Sequence, residues 1–341
     1  MLNRFEEYEK ALQHGVDQGS LIEEALDPVL DRGIDSLYLV GCGGSLAVMM
    51  PLEKLIHEYS AIPCYALNSN EFLQEKPKGF TKNSLVVLSS YTGTTKETVE
   101  AARFAKETGA FTVAFAGKAD TPLGQSVDVV FANDAPVGVT DSKAIMLYQI
   151  ALYVLEKRGE LDNYQAWKES LASLPKALRK VREEESRSEE FVNFIQEGPM
   201  IMMTGSGVNY GEAYMFSMCI LQEMQWIPAQ WIHAGEFFHG AWEFFHGAFE
   251  ILVEDTPLLV LHGEDKTRPL SQRVIDFASN ITKRLFVIDA KDYTLDGVKA
   301  EHRGFLNPFI FMAVLGRLGD DLAEARNHPL TTRRYMGKVK Y

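Results

Sequence analysis

Short apolar runs alternate along this chain with stretches whose apolar positions recur at helical spacing. In the first half, Ser36–Val40, Pro63–Ala66, Leu85–Ser89, Phe111–Phe115 and Val127–Phe131 read as strands. Helices are expected over Leu46–Tyr59, Lys96–Thr108 and Asp141–Arg158. A polar stretch occupies 161–190, where KALRKVREEESRSEEF mixes both signs of charge and reads as an exposed helix. The rhythm then restarts, with strands at Met200–Thr204, Leu258–His262 and Leu285–Asp289 and helices at Tyr210–Met224 and Gln272–Ile281. Strands alternating with helices predict an α/β chain with parallel sheets flanked by helices. The expected division is a first domain at 1–160, a helical connector at 161–190 and a second domain at 191–341. Both domains open on an apolar strand that runs into a glycine turn and a helix, LYLVGCGGS and MIMMTGSGVNYG, which suggests internal duplication.

Composition narrows the function classes. At 341 residues, 46% hydrophobic and 24% charged, the chain is long and apolar enough for two cores. A net charge of −13 without basic stripes disfavours nucleic acid, yet backbone amides can still hold a single phosphate. Three widely spaced cysteines, Cys42, Cys64 and Cys219, fit a reducing compartment and supply neither a disulfide framework nor a CxxC zinc site. The polar start MLNRFEEYEK shows no signal peptide, and the longest apolar runs are strand-sized. A cytoplasmic chain with no membrane partner is the expectation.

Two loops invite an anion. Gly41-Cys42-Gly43-Gly44-Ser45 ends the first strand; glycines let the backbone come close to a ligand. The pattern is not GxGxxG and lacks the acidic residue that a dinucleotide fold places about 20 residues on. A tight strand-to-helix connection explains it as well as a phosphate cradle does. Ser89-Ser90-Tyr91-Thr92-Gly93-Thr94-Thr95 gathers six hydroxyls at the carboxyl end of another strand, where an α/β sheet places its ligand. A helix N-cap needs only one of them, so the surplus favours a ligand.

Acid–base candidates crowd the second domain. Glu223 lies among Leu221, Met224 and Trp226, so it is either a proton shuttle on an apolar face or a solvated surface group. His233, His239 and His246 stand further on, beside Glu236 and Glu243, without the HExxH spacing of a zinc site, and no metal or cofactor is expected. Residues 236–242, EFFHGAW, are copied at 243–249 as EFFHGAF. A seven-residue insertion in a helix turns the downstream chain by only about 20°.

GCGGS, with SSYTGTTKET 48 residues later, resembles the phosphate-binding segments of sugar-isomerase (SIS) domains, such as the isomerase half of glucosamine-6-phosphate synthase. EMQWIPAQWIHAGEFFHG and the tail RNHPLTTRRYMGKVKY resemble the deglycases of fructosamine 6-phosphates. The resemblance implies two tandem SIS domains, each flavodoxin-like, with Gly43, Ser45, Ser90, Thr92 and Thr95 around the sugar phosphate. Tyr91, also in that loop, replaces the synthase's glutamine. In these relatives a glutamate and a histidine sixteen positions later carry the chemistry, an offset matched here by Glu223 and His239; His246 keeps register with the downstream chain instead. The implied reaction turns an amino-acid fructosamine 6-phosphate into glucose 6-phosphate and free amine, in a homodimer or homotetramer with shared active sites. An aldose–ketose isomerase or aminotransferase-type enzyme and a non-enzymatic sugar-phosphate sensor are the rival readings. Asn70, Glu71, Asp265, Lys266 and Arg268 are loop positions that either contact the amine or are simply solvated.

Overall fold

The structure is a computed structural model that describes residues 4–196, 200–239, 248–336 and 338–339. Its residues fall into two compact units, an N-terminal one of Arg4–Ala177 with Asp296–Lys299 and a C-terminal one of Leu178–Leu295 with Ala300–Tyr341. The first boundary between the units lies inside a helix at Tyr164–Glu184.

The N-terminal unit carries a parallel sheet of β1 (Ser36–Gly41), β2 (Cys64–Asn68), β3 (Ser84–Ser89), β4 (Phe111–Ala116) and β5 (Val129–Ala132), in the order β2-β1-β3-β4-β5. Each expected strand is present, with ends shifted by one or two residues. Side chains alternate between faces, and both faces are apolar. Tyr38, Val40, Val86 and Leu88 share a core with Val99 and Ala102 of the helix Lys96–Thr108, while Leu37, Leu39, Val87 and Val113 are equally buried on the other side. The helix Val139–Lys157 is buried at every position from Asp141 to Leu155, so no polar face marks it. Two amphipathic helices, Phe5–Asp17 and Gly19–Asp31, pack against it; neither is expected from the sequence pattern. Tyr8 donates to Asp141 at 2.6 Å and Gln149 donates to the Val16 carbonyl at 3.0 Å.

The C-terminal unit repeats the plan. Its strands β6 (Ile201–Gly205), β7 (Ala229–His233), β8 (Leu258–His262) and β9 (Leu285–Asp289) are parallel, in the order β7-β6-β8-β9. That is the order of the first four strands of the N-terminal sheet, with β6 in the place of β1 and β8 in the place of β3. β7 is the strand the sequence hid. It lies at the edge, its Gln230 is exposed, and it has no continuous apolar run. Met202, Leu258 and Val260 pack against Val274 and Ala278 of the helix Arg268–Ala278. A long helix, Arg303–Ala325, also unmarked in the sequence pattern, buries Phe309, Phe311 and Leu315. Among the described residues no helix is long and apolar enough to cross a membrane.

The expected helix Tyr210–Met224 is α-helical only to Met215; Phe216–Met224 is a π-helix. Its wider turn is visible where the Gln225 N–H reaches back to the Ile220 carbonyl at 2.9 Å. Apolar periodicity alone does not reveal the change. π-turns of this kind concentrate at functional sites, and Glu223 stands on this one.

Candidate active site

In a sheet ordered β2-β1-β3, the chain leaves β1 and β3 in opposite directions, which opens a crevice beyond their carboxyl ends. Both hydroxyl- and glycine-rich loops emerge there. Gly43 adopts φ +56° and Gly93 φ +65°, conformations that side chains with a Cβ seldom take. At Gly93 a Cβ would also lie 2.2 Å from the Thr121 hydroxyl, so the loop has no room for one.

The capping explanation of the second loop fails on geometry. Thr95 occupies the N-cap position of the helix Lys96–Thr108, yet its side chain caps no backbone N–H. Its hydroxyl instead pairs with that of Ser90 at 2.8 Å. The first-turn amides of that helix, which have no intrahelical acceptor, therefore remain for an outside anion. Thr92 and Thr94 pair at 2.9 Å, and the buried Ser89 hydroxyl has no partner among the described residues. Tyr91 is different: it is half exposed, and its hydroxyl donates to Asp134 at 3.2 Å. Burial and the Asp134 carboxylate push its phenol pKa up.

One residue at this loop is not among those the sequence singles out. Lys143, on the buried helix Val139–Lys157, is only 9% exposed and brings its Nζ within 3.4 Å of the Ser45 hydroxyl. The available signal is a lysine at the head of an apolar run, AIMLYQIALYVL, two residues after Asp141. A buried ammonium needs an anion or strong acceptors nearby.

In the C-terminal unit Glu223 neither points into the core nor stands alone in water. Its carboxylate is 36% exposed and meets Arg333 Nε at 3.1 Å. Arg333 also donates to the carbonyls of Leu330 and Thr332, at 2.6 and 2.9 Å. Further bonds pin the tail to the turn after the π-helix. Gln225, fully buried, donates to the His328 carbonyl at 2.7 Å, and Arg326 donates to the Gln225 carbonyl at 2.7 Å. Trp226 sits at φ +58°, edge-on to His328. Between this turn and the tail lies a cavity of about 360 Å³.

His239 is exposed at the end of a described segment, and it is not among the residues lining the Glu223 cavity. His246 lies outside the described residues. His233, which ends β7, accepts the Gly235 N–H at 3.1 Å and stacks edge-on to Tyr210, a structural setting. Among the described residues no group of three or more His, Cys, Asp or Glu is placed to hold a metal.

Comparison with known proteins decides the family. A family model for the SIS domain matches residues 32–155, the heart of the N-terminal unit. Over 325 residues the chain is 37% identical to the fructosamine deglycase FrlB of Bacillus subtilis, covering 94% of this chain and 97% of that one. The chain is a SIS-domain enzyme. It is also 26% identical to the fructoselysine 6-phosphate deglycase of Escherichia coli, over 98% of this chain and 94% of the other. A Bacillus subtilis crystal structure with the provisional description of phosphosugar isomerase superposes with a TM-score of 0.83 at 35% identity, covering 95% of this chain and all of that one.

The second SIS unit has its own crevice beyond β6 and β8, and a carboxylate from the chain already fills it. Asp265 accepts from Asn209 at 3.0 Å, from the Thr267 hydroxyl at 2.7 Å and from the Thr267 N–H at 3.3 Å. The Ser206 hydroxyl closes the ring on Thr267 at 2.9 Å. Burial pushes the Asp265 carboxyl above its ordinary range, and the bonds from Thr267 and Asn209 work against that rise. A Cβ at Gly207 would lie 2.2 Å from this carboxylate, and one at Gly263 would lie 2.9 Å from it. Asp265 is thus an internally hydrogen-bonded carboxyl group rather than a solvated loop residue. Arg268, likewise, is held by Asp289 at 2.6 and 2.8 Å. Asp265→Ala leaves three donors without their acceptor and is expected to destabilise the protein by about 2–4 kcal/mol. Chemical denaturation would show it, and an unchanged midpoint would contradict the assignment.

Proposed function

We propose that this SIS enzyme is a fructosamine 6-phosphate deglycase, releasing glucose 6-phosphate and an amine from an amino-acid Amadori adduct. The observation that carries the reading is full-length likeness to the two deglycases, which takes in both the hydroxyl loops and the Glu223 turn. Ser45, Ser90, Thr92 and Thr95 hold the sugar phosphate, with the Gly43 turn giving the backbone its close approach. Tyr91 lines the loop without giving up its bond to Asp134.

The chemistry runs on two side chains. Histidine, His239 or its copy His246, moves a proton at the anomeric oxygen and opens the ring. Glu223 takes a proton from C1, leaving an enaminol, and returns it at C2. The double bond now lies between C1 and nitrogen. Water adds to this imine, and the amine departs from the resulting carbinolamine, leaving the C1 aldehyde of glucose 6-phosphate. Arg333 meets the Glu223 carboxylate at 3.1 Å and fixes its orientation for the first transfer. The enzyme acts as a homodimer or homotetramer with shared active sites, and a fully active monomer in light scattering would refute that part.

The test is incubation with 6-phosphorylated fructosamines while glucose 6-phosphate and free amine are monitored together. Equal release of both is expected. Interconversion of ketose and aldose phosphates without amine release would identify an isomerase, and binding without turnover a sensor. Lys143→Met is expected to raise KM for the phosphorylated substrate about 10–100-fold, the worth of one charge-assisted hydrogen bond. An unchanged KM would limit Lys143 to a structural role.

A further inference from the structure

The cavity beside Glu223 has a chemistry that proton transfer does not use. On the deglycase reading, the carbon that gives its proton to Glu223 is the one that carries the amine. A base acts on a reacting atom about 3–3.5 Å away. The substituent on the amine nitrogen therefore starts within a few bonds of Glu223, and the cavity that Glu223 lines is where it goes.

That cavity is amphiphilic. Trp226, Ile227, Pro228 and Met336 give it apolar walls, and two guanidinium groups face a single carboxylate. Arg333 is already committed to Glu223 and to two carbonyls. Arg334 is not: no acidic side chain among the described residues pairs with it, and its guanidinium lies 4.2 Å from the centre of the Trp226 ring. Stacking occupies the face of a guanidinium and leaves its N–H edge open, the edge that binds a carboxylate with two parallel hydrogen bonds. The shelf is itself fixed. Trp226 is held at φ +58° by the contacts of Gln225 and His328, although it is 39% exposed and contributes little to the core. A large side chain kept in the left-handed region near a reacting carboxylate fits a built recognition surface better than a packing residue.

We propose that Arg334, shelved on Trp226, determines specificity for the amine half of the substrate by binding the free carboxylate of an amino acid whose hydrocarbon portion lies along the apolar wall. The inference rests on the deglycase reading. It predicts which amines are used well: those that carry a carboxylate at the end of a short aliphatic tether. Simple alkyl amines and amides are used poorly.

Three 6-phosphorylated fructosamines test it with the full-length enzyme: the ε-adduct of lysine, the same adduct of lysinamide, and the adduct of pentylamine. The wild type is expected to favour the carboxylate substrate over the other two by about 10–100-fold in kcat/KM. Arg334→Gln collapses that ratio towards one by lowering kcat/KM for the carboxylate substrate, while Arg334→Lys keeps part of it. Equal use of all three by the wild type overturns the inference and leaves the deglycase reading standing. So does an Arg334→Gln enzyme that loses the same factor on every substrate, since Arg334 would then only hold the tail. Amine release from none of the three refutes the deglycase reading, and this inference with it.

Discussion

Glu223→Gln is expected to lower kcat by about 10⁴-fold while glucose 6-phosphate still binds with little change in affinity. The size comes from the double duty of the carboxylate, which must remove one proton from C1 and deliver one to C2; each assisted transfer is worth about 10²–10⁴-fold. Glutamine preserves shape and accepts a hydrogen bond from Arg333, but it takes no proton. The fold has little at stake. The Glu223–Arg333 pair is 36% and 23% exposed, and ion pairs so open to solvent contribute at most about 1 kcal/mol. Thermal unfolding of the variant should therefore match that of the wild type. A stable variant with near-normal amine release would remove Glu223 from the reaction and leave the hydroxyl loops as a binding site only.

The sequence is easiest to read where both faces of an element are buried. Leu85–Ser89 and Leu258–His262 are apolar at nearly every position, so they stand out without any knowledge of their neighbours. The edge strand Ala229–His233 and the amphipathic helices Phe5–Asp17 and Gly19–Asp31 escape notice because their patterns mix with polar neighbours. The hydroxyl loop is legible from composition, but the decisive fact is not: Thr95 turns away from capping and towards Ser90. Glu223 shows the limit most clearly. Local periodicity offers two choices, an apolar face or a solvated one, and neither is what the fold provides. Its partner, Arg333, is 110 positions away in sequence, and the helix beneath it changes hydrogen-bond offset, which apolar spacing does not record. Lys143 is hidden for the same reason, since its contact with Ser45 spans 98 positions.

The duplicated EFFHGA segment poses the remaining question of chemistry, and the phenylalanines of the first copy point to an answer. Phe237 is fully buried in the core of the C-terminal sheet. Phe238 stacks edge-on to Phe277 at 5.4 Å and lies under the Arg273 guanidinium at 4.2 Å. The N–H of Phe249, the last residue of the second copy, bonds back to the Phe237 carbonyl at 3.2 Å. The first copy is therefore anchored to the framework at the two residues before His239, and a histidine that must meet a substrate atom needs such support. We expect His239→Asn to cost about 10²–10³-fold in kcat/KM, the loss of one acid–base partner, and His246→Asn to cost less than about a tenth of that. The assay is amine release at saturating and limiting substrate, with unfolding temperature as the control for packing. The opposite ranking would mean that the chain downstream sets the register. The functional histidine would then be His246, and the sixteen-residue offset from Glu223 would be a remnant of the ancestral spacing.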